Sequence, residues 1–356
     1  MNSATSVVPE SWQLAYVPRK IAHHGGHSGY DILFNQMRLT PAASPFWQGL
    51  ADRLPGGLAW RLWRLRPQAT QQQGLRAEVG AIPWTARGRR RLCHFIYGED
   101  TFFYTPLWKS AGNRCVATFH YPPQRLIERV NPAVLQALDA VVMVGENQRE
   151  YFERFLPPQR LHYLPHHVDT GFFHPDPQPQ AGDRPRLLCV GQLLRDFEVL
   201  IKVHRRVRQH WPDLLTQVLA PRQLLPEAVL AEPGVEVLSG VDDEALRTLY
   251  RSASVGLQPL RDATANNALL EMMACGLPVV ASGVGGLQHY AAGSAAHLVP
   301  AGDAEAMTAL VLDLLGDAAR RQAEGRLNRQ HAERQFSLAV CADRMRTLYR
   351  GLADAA

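Results

Sequence analysis

The sequence predicts an α/β fold built from two Rossmann-like domains, each with a parallel sheet covered by helices. Short apolar segments alternate with helical segments along most of the chain, which is the pattern of a parallel sheet. One proline-rich segment interrupts this alternation, and 356 residues are enough for two hydrophobic cores. Ligands of such sheets bind beyond the carboxyl ends of the strands, so we expect a site in a cleft between two facing domains.

The first half of the chain contains four apolar segments of strand length. Each ends at a glycine, a histidine or another turn residue, as the strands of a parallel sheet do. A helical segment, Leu126–Leu138, separates the third strand from the fourth. The four predicted strands are Gln13–Val17, Leu92–Tyr97, Cys115–Phe119 and Ala140–Val144.

The alternation is interrupted at residues 175–185, where PDPQPQAGDRP is polar, rich in proline and without an apolar period. This composition predicts a linker. After it, the predicted elements are strands at Arg186–Val190, Leu215–Leu219 and Val235–Leu238, a helix at Phe197–His210 and a helix opened by Asp242 and Asp243. The predicted division is an N-terminal domain at residues 1–175, a C-terminal domain at 176–335 and a last helix at 336–356.

The chain is mildly basic, with a formal net charge of +5 and an isoelectric point of about 9.1. Much of the excess lies in arginine-rich segments such as Arg61–Arg66 and Arg87–Arg91, which are typical of solvated surface. No recognised nucleic-acid-binding motif accompanies them, so we expect no nucleic-acid partner.

The five cysteines are scattered and form no C-x-x-C pair, which predicts buried thiols in a reducing compartment. The first twenty residues contain no apolar segment long enough for a signal peptide, and no segment approaches the ~20 apolar residues of a membrane span. These observations predict a cytoplasmic protein.

The most informative segment is Leu260–Gly286, with the sequence LRDATANNALLEMMACGLPVVASGVGG. Asn266 and Asn267 stand where a helix needs side-chain caps, and a glycine and a proline end the helix before the strand Leu277–Ala281. The amino end of such a helix offers backbone N–H groups and the positive end of its dipole to a phosphate. Glu271 lies about one turn further in, within reach of whatever the phosphate is attached to.

The segment LLEMMACGLPVVAS, followed by GVGG, resembles the donor-binding signature of the retaining glycosyltransferases of family 4, which have the GT-B fold. The resemblance implies that backbone amides around Asn266–Ala268 hold the donor phosphates. In that family, two glutamates separated by seven residues bracket the start of the helix; the second holds the nucleotide ribose and the first contacts the donor sugar. Glu271 matches the second. The first falls on Ala263, and the neighbouring Asp262 either substitutes for it or is a solvated loop residue.

The resemblance covers the second half of the chain well and the first half loosely. In VGQLLRD, Gly191 matches the glycine turn that opens the family's donor domain, but Gln192 replaces the usual arginine. Arg195 is the only cation left in this shortened loop. The resemblance implies that Arg195 pairs with the donor phosphates; the alternative is a surface salt bridge with Asp196 or Glu198. It also implies that the last helix packs back on the N-terminal domain.

Candidate acceptor-side residues stand at the ends of predicted strands in the first half. His120 matches a histidine that many family members place near the anomeric centre of the sugar, and it suits a polar catalytic role or, alternatively, a structural hydrogen bond. Glu99 either holds acceptor hydroxyls or caps the next helix. Gly25 and Gly26, followed by His27, resemble the glycine turn that the family places opposite the donor phosphates; the alternative is a surface loop.

The segment Leu58–Leu65 combines an apolar helical face with two tryptophans and is surrounded by arginines. Such a helix suits a membrane interface, and it also suits a helix packed on the core of the acceptor domain, which is the commoner outcome. A peripheral membrane contact is therefore one of two interpretations of this segment.

The residues and the resemblance together predict a retaining glycosyltransferase, with His120 and Glu271 as candidate catalytic residues. The donor is a nucleotide diphosphate sugar, and the acceptor is a glycan, a lipid-linked or a small-molecule hydroxyl. We expect no further cofactor and no metal, because the chain contains no Asp-x-Asp motif and no zinc-type cluster. Two alternatives stay open: a nucleotide-sugar epimerase on the same fold, and a GT-B-like binding protein without catalysis.

Overall fold

A computed structural model describes residues 7–19, 25–53, 72–177 and 184–355, which form two compact units. Unit 1 contains the described residues of Met1–His24, Gly29–Pro165 and Cys341–Ala356. Unit 2 contains Gly25–Ser28 and the described residues of His166–Val340. The basic segment at Leu58–Leu65 and Arg61–Arg66, and residues 178–183 of the predicted linker, lie outside the described residues.

Unit 1 is built on a six-stranded sheet. Its strands are β1 (Gln13–Val17), β2 (Thr40–Pro41), β3 (Arg91–Phe95), β4 (Arg114–Phe119), β5 (Ala140–Met143) and β6 (Leu161–Tyr163). All neighbouring strands are parallel, in the spatial order β2-β1-β3-β4-β5-β6. The strand order reverses between β1 and β3, so the ligand crevice of such a sheet lies at the carboxyl ends of these strands.

Unit 2 is built on a second six-stranded sheet. Its strands are β7 (Arg186–Val190), β8 (Leu215–Leu219), β9 (Val235–Leu238), β10 (Val255–Gln258), β11 (Val279–Ser282) and β12 (His297–Val299). All neighbouring strands are again parallel, in the order β12-β11-β10-β7-β8-β9. Here the order reverses between β7 and β10, which places the expected ligand edge at the ends of these two strands.

Helices connect the strands in both units. Those of unit 1 are Ile32–Gln36, Pro45–Asp52, Gln72–Gly80, Ile82–Thr85, Gly98–Thr101, Pro123–Arg129, Pro132–Leu135 and Arg149–Glu153. Those of unit 2 are Phe197–His210, Glu227–Leu230, Asp243–Ser252, Asn267–Ala274, Leu287–Ala291, Ala304–Gly316 and Ala318–Phe336. The last helix, Leu338–Asp354, runs from the end of unit 2 into unit 1. Short 3₁₀ turns lie at Thr105–Leu107, Glu146–Gln148, Pro158–Arg160 and Arg222–Leu224.

The predicted fold class is confirmed, since both sheets are parallel and covered by helices. The bounds of several elements agree with the sequence prediction, among them β1, β7, β8, β9 and the helix Phe197–His210. The units change at Pro165 and Val340, whereas the sequence analysis placed its limits at residues 175 and 335.

The single helix predicted at Leu126–Leu138 is wrong. The structure has two short helices, Pro123–Arg129 and Pro132–Leu135. Asn131, between them, has an extended backbone and caps the second helix by accepting the N–H of Ala133 at 3.1 Å. The proline that follows Asn131 has no N–H and disfavours a helical conformation in the residue before it, so the helix cannot continue through this point.

Both faces of the unit 2 sheet are covered by apolar side chains. On one face, β7 and β10 pack with the helices Phe197–His210 and Ala304–Gly316. On the other face, the helix Asn267–Ala274 contributes a run of fully buried residues, among them Leu269 and Met272. A strand buried on both faces does not alternate apolar with polar residues, which explains the continuous apolar strands of this half.

The last helix contributes Tyr349 to the interior of unit 1. The Tyr349 hydroxyl lies 2.6 Å from Nδ1 of His94, and Nε2 of the same ring lies 2.7 Å from the Thr118 hydroxyl. All three side chains are fully buried. Burial lowers the pKa of His94 to about 3, so the imidazole is neutral in this network.

All five cysteines are buried and none forms a disulfide, which confirms the predicted buried thiols. Burial raises the pKa of all five thiols, for example that of Cys115 to about 12, so these sulfurs stay protonated at neutral pH. The reducing compartment stays a prediction.

Candidate functional site

In unit 2, the loops that follow β7 and β10 meet at the carboxyl edge of the sheet. The backbone of Arg195 forms an isolated bridge with Leu260, and the N–H of Arg261 donates to the carbonyl of Leu194 at 2.9 Å. These are the two loops on either side of the reversal in strand order. The structure thus brings the Gly191 turn and the start of the Leu260–Gly286 segment together, as the sequence analysis expected of a site.

The helix Asn267–Ala274, called the Asn267 helix below, begins at this edge. Asn266 is its N-cap: its backbone is extended and its side-chain oxygen accepts the N–H of Leu269 at 3.2 Å. Asn267 was expected to cap as well; instead, it is the first helical residue, and its side-chain oxygen lies 2.6 Å from Nδ1 of His166. Together with Ala268, these residues present the amino end of the helix, whose first N–H groups have no partner within the helix.

Glu271 lies one turn into the Asn267 helix and is only 5% exposed. The hydroxyl of Ser28 donates to Oε1, and the hydroxyl of Tyr250 donates to Oε2 at 2.6 Å. Burial raises the pKa of Glu271 to about 7, and the two hydrogen bonds oppose this shift. The carboxyl group therefore changes its charge close to neutral pH.

The segment Gly25–Ser28 belongs to unit 2, although the sequence analysis assigned it to the first half. Asp243 holds its backbone: Oδ2 accepts the N–H of His27 at 2.8 Å, and a Cβ on Gly25 would lie 1.9 Å from Oδ1, so a side chain there would displace the Asp243 carboxylate. The His27 ring stacks on Phe172 at 3.8 Å, and its Nδ1 lies 2.7 Å from Oδ2 of Asp169. These contacts hold the segment where the Ser28 hydroxyl reaches the carboxyl group of Glu271. Gly26 lies between Gly25 and His27, the two residues that contact Asp243.

Arg195 holds the loop that follows β7. Its Nε donates to the carbonyl of Val190 at 3.0 Å, Nη2 donates to the same carbonyl, and Nη1 donates to the carbonyl of Leu193 at 3.3 Å. Gly191 has φ +95°, and a Cβ there would lie 2.8 Å from Nη2 of Arg195. The glycine therefore provides both a left-handed turn and room for the guanidinium.

The alternative in which Arg195 pairs with Asp196 or Glu198 is wrong for the described residues. Those carboxylates pair with Arg261 instead, at 3.5 and 3.9 Å, and Asp196 also caps the helix that follows. Arg195 forms no ion pair with a carboxylate among the residues that the structure describes. Its positive charge, at the edge of the sheet, is therefore not neutralised by any of them.

The loop around Ala263 packs tightly on the glycine turn after β11. A Cβ on Gly285 would lie 1.9 Å from the Ala263 carbonyl, and that carbonyl accepts the N–H of Gly286 at 3.0 Å. Ala263 itself is buried. Asp262 turns its Oδ1 to the N–H of Ala263 at 2.8 Å, so in this structure the carboxylate stabilises its own loop.

Three polar atoms near this edge are buried and have no hydrogen-bond partner among the described residues. They are Oε1 of Gln192, Oγ1 of Thr264 and Nδ2 of Asn266. Buried polar atoms are almost always satisfied, so atoms of this kind mark a place where a ligand or water supplies the missing bond. The sequence analysis missed Thr264 as well as Ser28 and Tyr250, because nothing in their immediate neighbours distinguishes them.

In unit 1, His120 follows β4 at the carboxyl edge of the sheet. Its Nε2 lies 2.7 Å from the carbonyl of Ile96; since a carbonyl only accepts, Nε2 carries a proton and donates this bond. The ring stacks on Tyr97 with 4.3 Å between centroids, and the edge-on ring of Tyr30 lies at 4.7 Å. These contacts restrain the orientation of the imidazole.

Glu99 follows β3 and is 7% exposed. Its Oε1 accepts the backbone N–H of His120 at 3.1 Å, whereas Oε2 is buried without a partner among the described residues. Burial and the neighbouring Asp100 raise the pKa of Glu99 well above its ordinary value, which favours the protonated form of the carboxyl group. Asp100 is paired with Arg19 at 3.1 Å. The structure brings Glu99 and His120 together.

Within the described ranges, no group of three or more histidine, cysteine, aspartate or glutamate side chains is arranged to hold a metal ion. In the same part of the chain, no helix combines the length and the apolar character that a membrane crossing requires.

Comparisons with known proteins consistently find glycosyltransferases. Residues 184–317 match the model of the family described as glycosyl transferases group 1. The chain is 29% identical over 242 residues to a GDP-mannose-dependent alpha-(1-6)-phosphatidylinositol monomannoside mannosyltransferase of Mycolicibacterium smegmatis, covering 61% of this chain and 63% of that protein. It is 30% identical over 228 residues to a D-inositol 3-phosphate glycosyltransferase of Catenulispora acidiphila, covering 55% of this chain and 53% of that protein.

The chain thus spans less than two thirds of the length of these curated relatives. Solved structures match it over more of its length. A glycosyltransferase from Rickettsia africae has a TM-score of 0.68 at 11% identity, covering 97% of this chain and 99% of that one. Anabaena HepE in complex with UDP-glucose has a TM-score of 0.65 at 12% identity, covering 94% and 98%. Residues 184–317, which lie in unit 2, thus resemble the glycosyl transferases group 1 family, and the chain has the GT-B fold of the solved glycosyltransferases.

Proposed function

We propose that this protein transfers a sugar from a nucleotide diphosphate sugar to an acceptor hydroxyl, with retention of the anomeric configuration. The observation that carries the proposal is the buried carboxyl group of Glu271, held one turn inside a helix whose amino end lies at the reversal point of the unit 2 sheet. Phosphates favour such a helix end, and a carboxylate one turn further in suits the hydroxyls of a ribose.

The donor would bind to unit 2. Backbone N–H groups at Asn266–Ala268 would receive the diphosphate, with Arg195 supplying positive charge from the neighbouring loop. Arg195 already donates to two carbonyls, so it would attract the diphosphate through its positive charge. Its hydrogen bonds would also hold the glycine turn in shape. The unsatisfied atoms of Gln192 and Thr264 would offer polar contacts to the donor where the family's glutamate is replaced by Ala263.

The acceptor would be handled by unit 1. The His120 ring and the Glu99 carboxyl group, which the structure brings together, would bind the acceptor hydroxyl through hydrogen bonds. The chemical step would break the bond between the anomeric carbon and the phosphate oxygen and form the bond to the acceptor oxygen. The acceptor proton would pass to the departing phosphate oxygen, the front-face route that the family resemblance implies.

The relatives suggest which donors to test first. The M. smegmatis relative is named for GDP-mannose and acts on a phosphatidylinositol monomannoside, and the HepE structure holds UDP-glucose. We therefore propose GDP-mannose and UDP-glucose as the first donors. A lipid-linked acceptor, a glycan and a small polyol are the acceptor classes to compare.

The decisive experiment measures release of nucleoside diphosphate from each donor with and without acceptor. Transfer predicts release that depends on acceptor and a product that carries the sugar in the same anomeric configuration. An epimerase would convert the donor without net release, and a binding protein would do neither. Thermal-shift measurements with GDP, UDP and ADP would first identify the nucleotide, because a ligand stabilises the fold that it binds.

A further inference from the structure

We propose that the two oxygens of Glu271 have different tasks: Tyr250 permanently holds Oε2, and Oε1, which now binds the Ser28 hydroxyl, receives the nucleotide ribose. Tyr250 is then a positioning residue and Ser28 a placeholder. This inference rests on the proposed function, because it requires a nucleotide at the Asn267 helix. It goes beyond that function by assigning opposite effects to two hydroxyls that bind the same carboxyl group.

Tyr250 is built into the interior of unit 2. It lies in the helix Asp243–Ser252, is 1% exposed, and packs edge-on against Phe173 with 6.0 Å between centroids. Its hydroxyl lies 2.6 Å from Oε2 of Glu271. A tyrosine can move its hydroxyl oxygen only by swinging the whole ring about the Cα–Cβ bond, and this ring is almost completely buried. The bond to Oε2 therefore restrains the orientation of the carboxyl group.

Ser28 is attached to the protein in a different way. It ends the short segment Gly25–Ser28, which unit 2 holds through a few contacts: the Asp243 carboxylate, the stack on Phe172 and the pair with Asp169. The His27 side chain in this segment is 42% exposed. A serine hydroxyl and a ribose hydroxyl are chemically equivalent donors, so one can replace the other at Oε1 without leaving the carboxyl group unsatisfied.

The physical consequence is an asymmetry between the two hydroxyls. Removing the Tyr250 hydroxyl leaves Oε2 buried without a donor, so the carboxyl group can rotate and no longer presents Oε1 to the ribose. Removing the Ser28 hydroxyl deletes the group that competes with the ribose. The first change should weaken recognition of ribose hydroxyls, and the second should leave it unchanged or strengthen it.

The test compares ribonucleotides with their 2′,3′-dideoxy analogues. Dissociation constants for GDP, UDP, ddGDP and ddUDP would be measured calorimetrically with wild-type protein and the variants Y250F, S28A and E271Q. A charge-assisted hydrogen bond to the ribose predicts that the wild-type protein prefers the ribonucleotide by about 10-fold or more. Y349F is the matched control, since it removes a fully buried tyrosine hydroxyl in unit 1.

We expect Y250F and E271Q to lower the preference below about 3-fold while binding of the dideoxy analogue stays unchanged, because the phosphate contacts are intact. S28A and Y349F should keep the wild-type preference or, for S28A, increase it. An S28A protein that loses the preference would overturn the placeholder assignment. A Y250F protein that keeps it, while E271Q loses it, would overturn the positioning role.

The outcomes also separate this inference from the proposed function. If E271Q keeps the full preference, the ribose does not bind Glu271 and the donor assignment itself fails. If Y250F does not fold, S28A still tests which oxygen is exchanged, because that variant touches only Oε1 and lies in a short peripheral segment.

Discussion

Replacing Glu271 by glutamine removes a buried carboxyl group whose pKa burial raises from 4.5 to about 7. Between these values the folded protein binds a proton that the unfolded chain has released. The stabilisation linked to this proton is complete below the unfolded pKa and is lost as the pH rises through the folded pKa. The loss is at most about 1.4 kcal/mol per pH unit, so it sums to roughly 3 kcal/mol across the interval.

Glutamine cannot ionise, so the variant should escape this loss. We expect the free energy of unfolding of Glu271→Gln to become larger, relative to that of the wild type, as the pH increases from 5 to 8, which means that the variant gains relative stability. Urea unfolding at each pH measures the difference, and Glu305→Gln, an exposed carboxylate in a helix of the same unit, is the control. A difference that is independent of pH, or that declines with rising pH, would refute the reasoning about burial at this site.

Three further predictions concern the donor edge. Turnover should persist in excess EDTA, since phosphate charge is met by a helix end and a cation; activity that disappears and returns with Mg²⁺ or Mn²⁺ would contradict this. Asp262→Ala should destabilise the loop slightly and reduce turnover more than nucleoside diphosphate affinity, if the carboxylate leaves the Ala263 N–H to contact the sugar; equal reductions would show that it only supports the loop. Gly191→Ala should cost about 1–3 kcal/mol in urea unfolding, because φ is +95° and Cβ would meet the Arg195 guanidinium; an unchanged midpoint would contradict the packing described.

The parts of the site that the sequence predicted are those set by local rules. Asn266 caps its helix, a glycine and a proline end it, and Glu271 lies one turn in because helix geometry fixes that spacing. Ser28, by contrast, is 243 residues away from Glu271 along the chain. No periodicity or capping rule relates two such positions, so a contact of this kind appears only when the chain is folded.

Two departures in the fold have equally specific causes. The strand Val255–Gln258 was not predicted, because four residues that include a glycine give neither alternation nor a long apolar run; it forms because it is inserted between β7 and β11. Asn267 was predicted as a second cap, but only one residue can occupy the N-cap, and the nearby His166 ring provides a partner for its side chain.

The most direct test of the account is a crystal structure with the nucleoside diphosphate that gives the largest thermal shift. The account predicts the diphosphate at the amino end of the Asn267 helix and a ribose hydroxyl within hydrogen-bonding distance of Oε1 of Glu271, with Tyr250 still on Oε2. A nucleotide bound elsewhere, or a ribose turned away from Glu271 with Ser28 still in place, would contradict it.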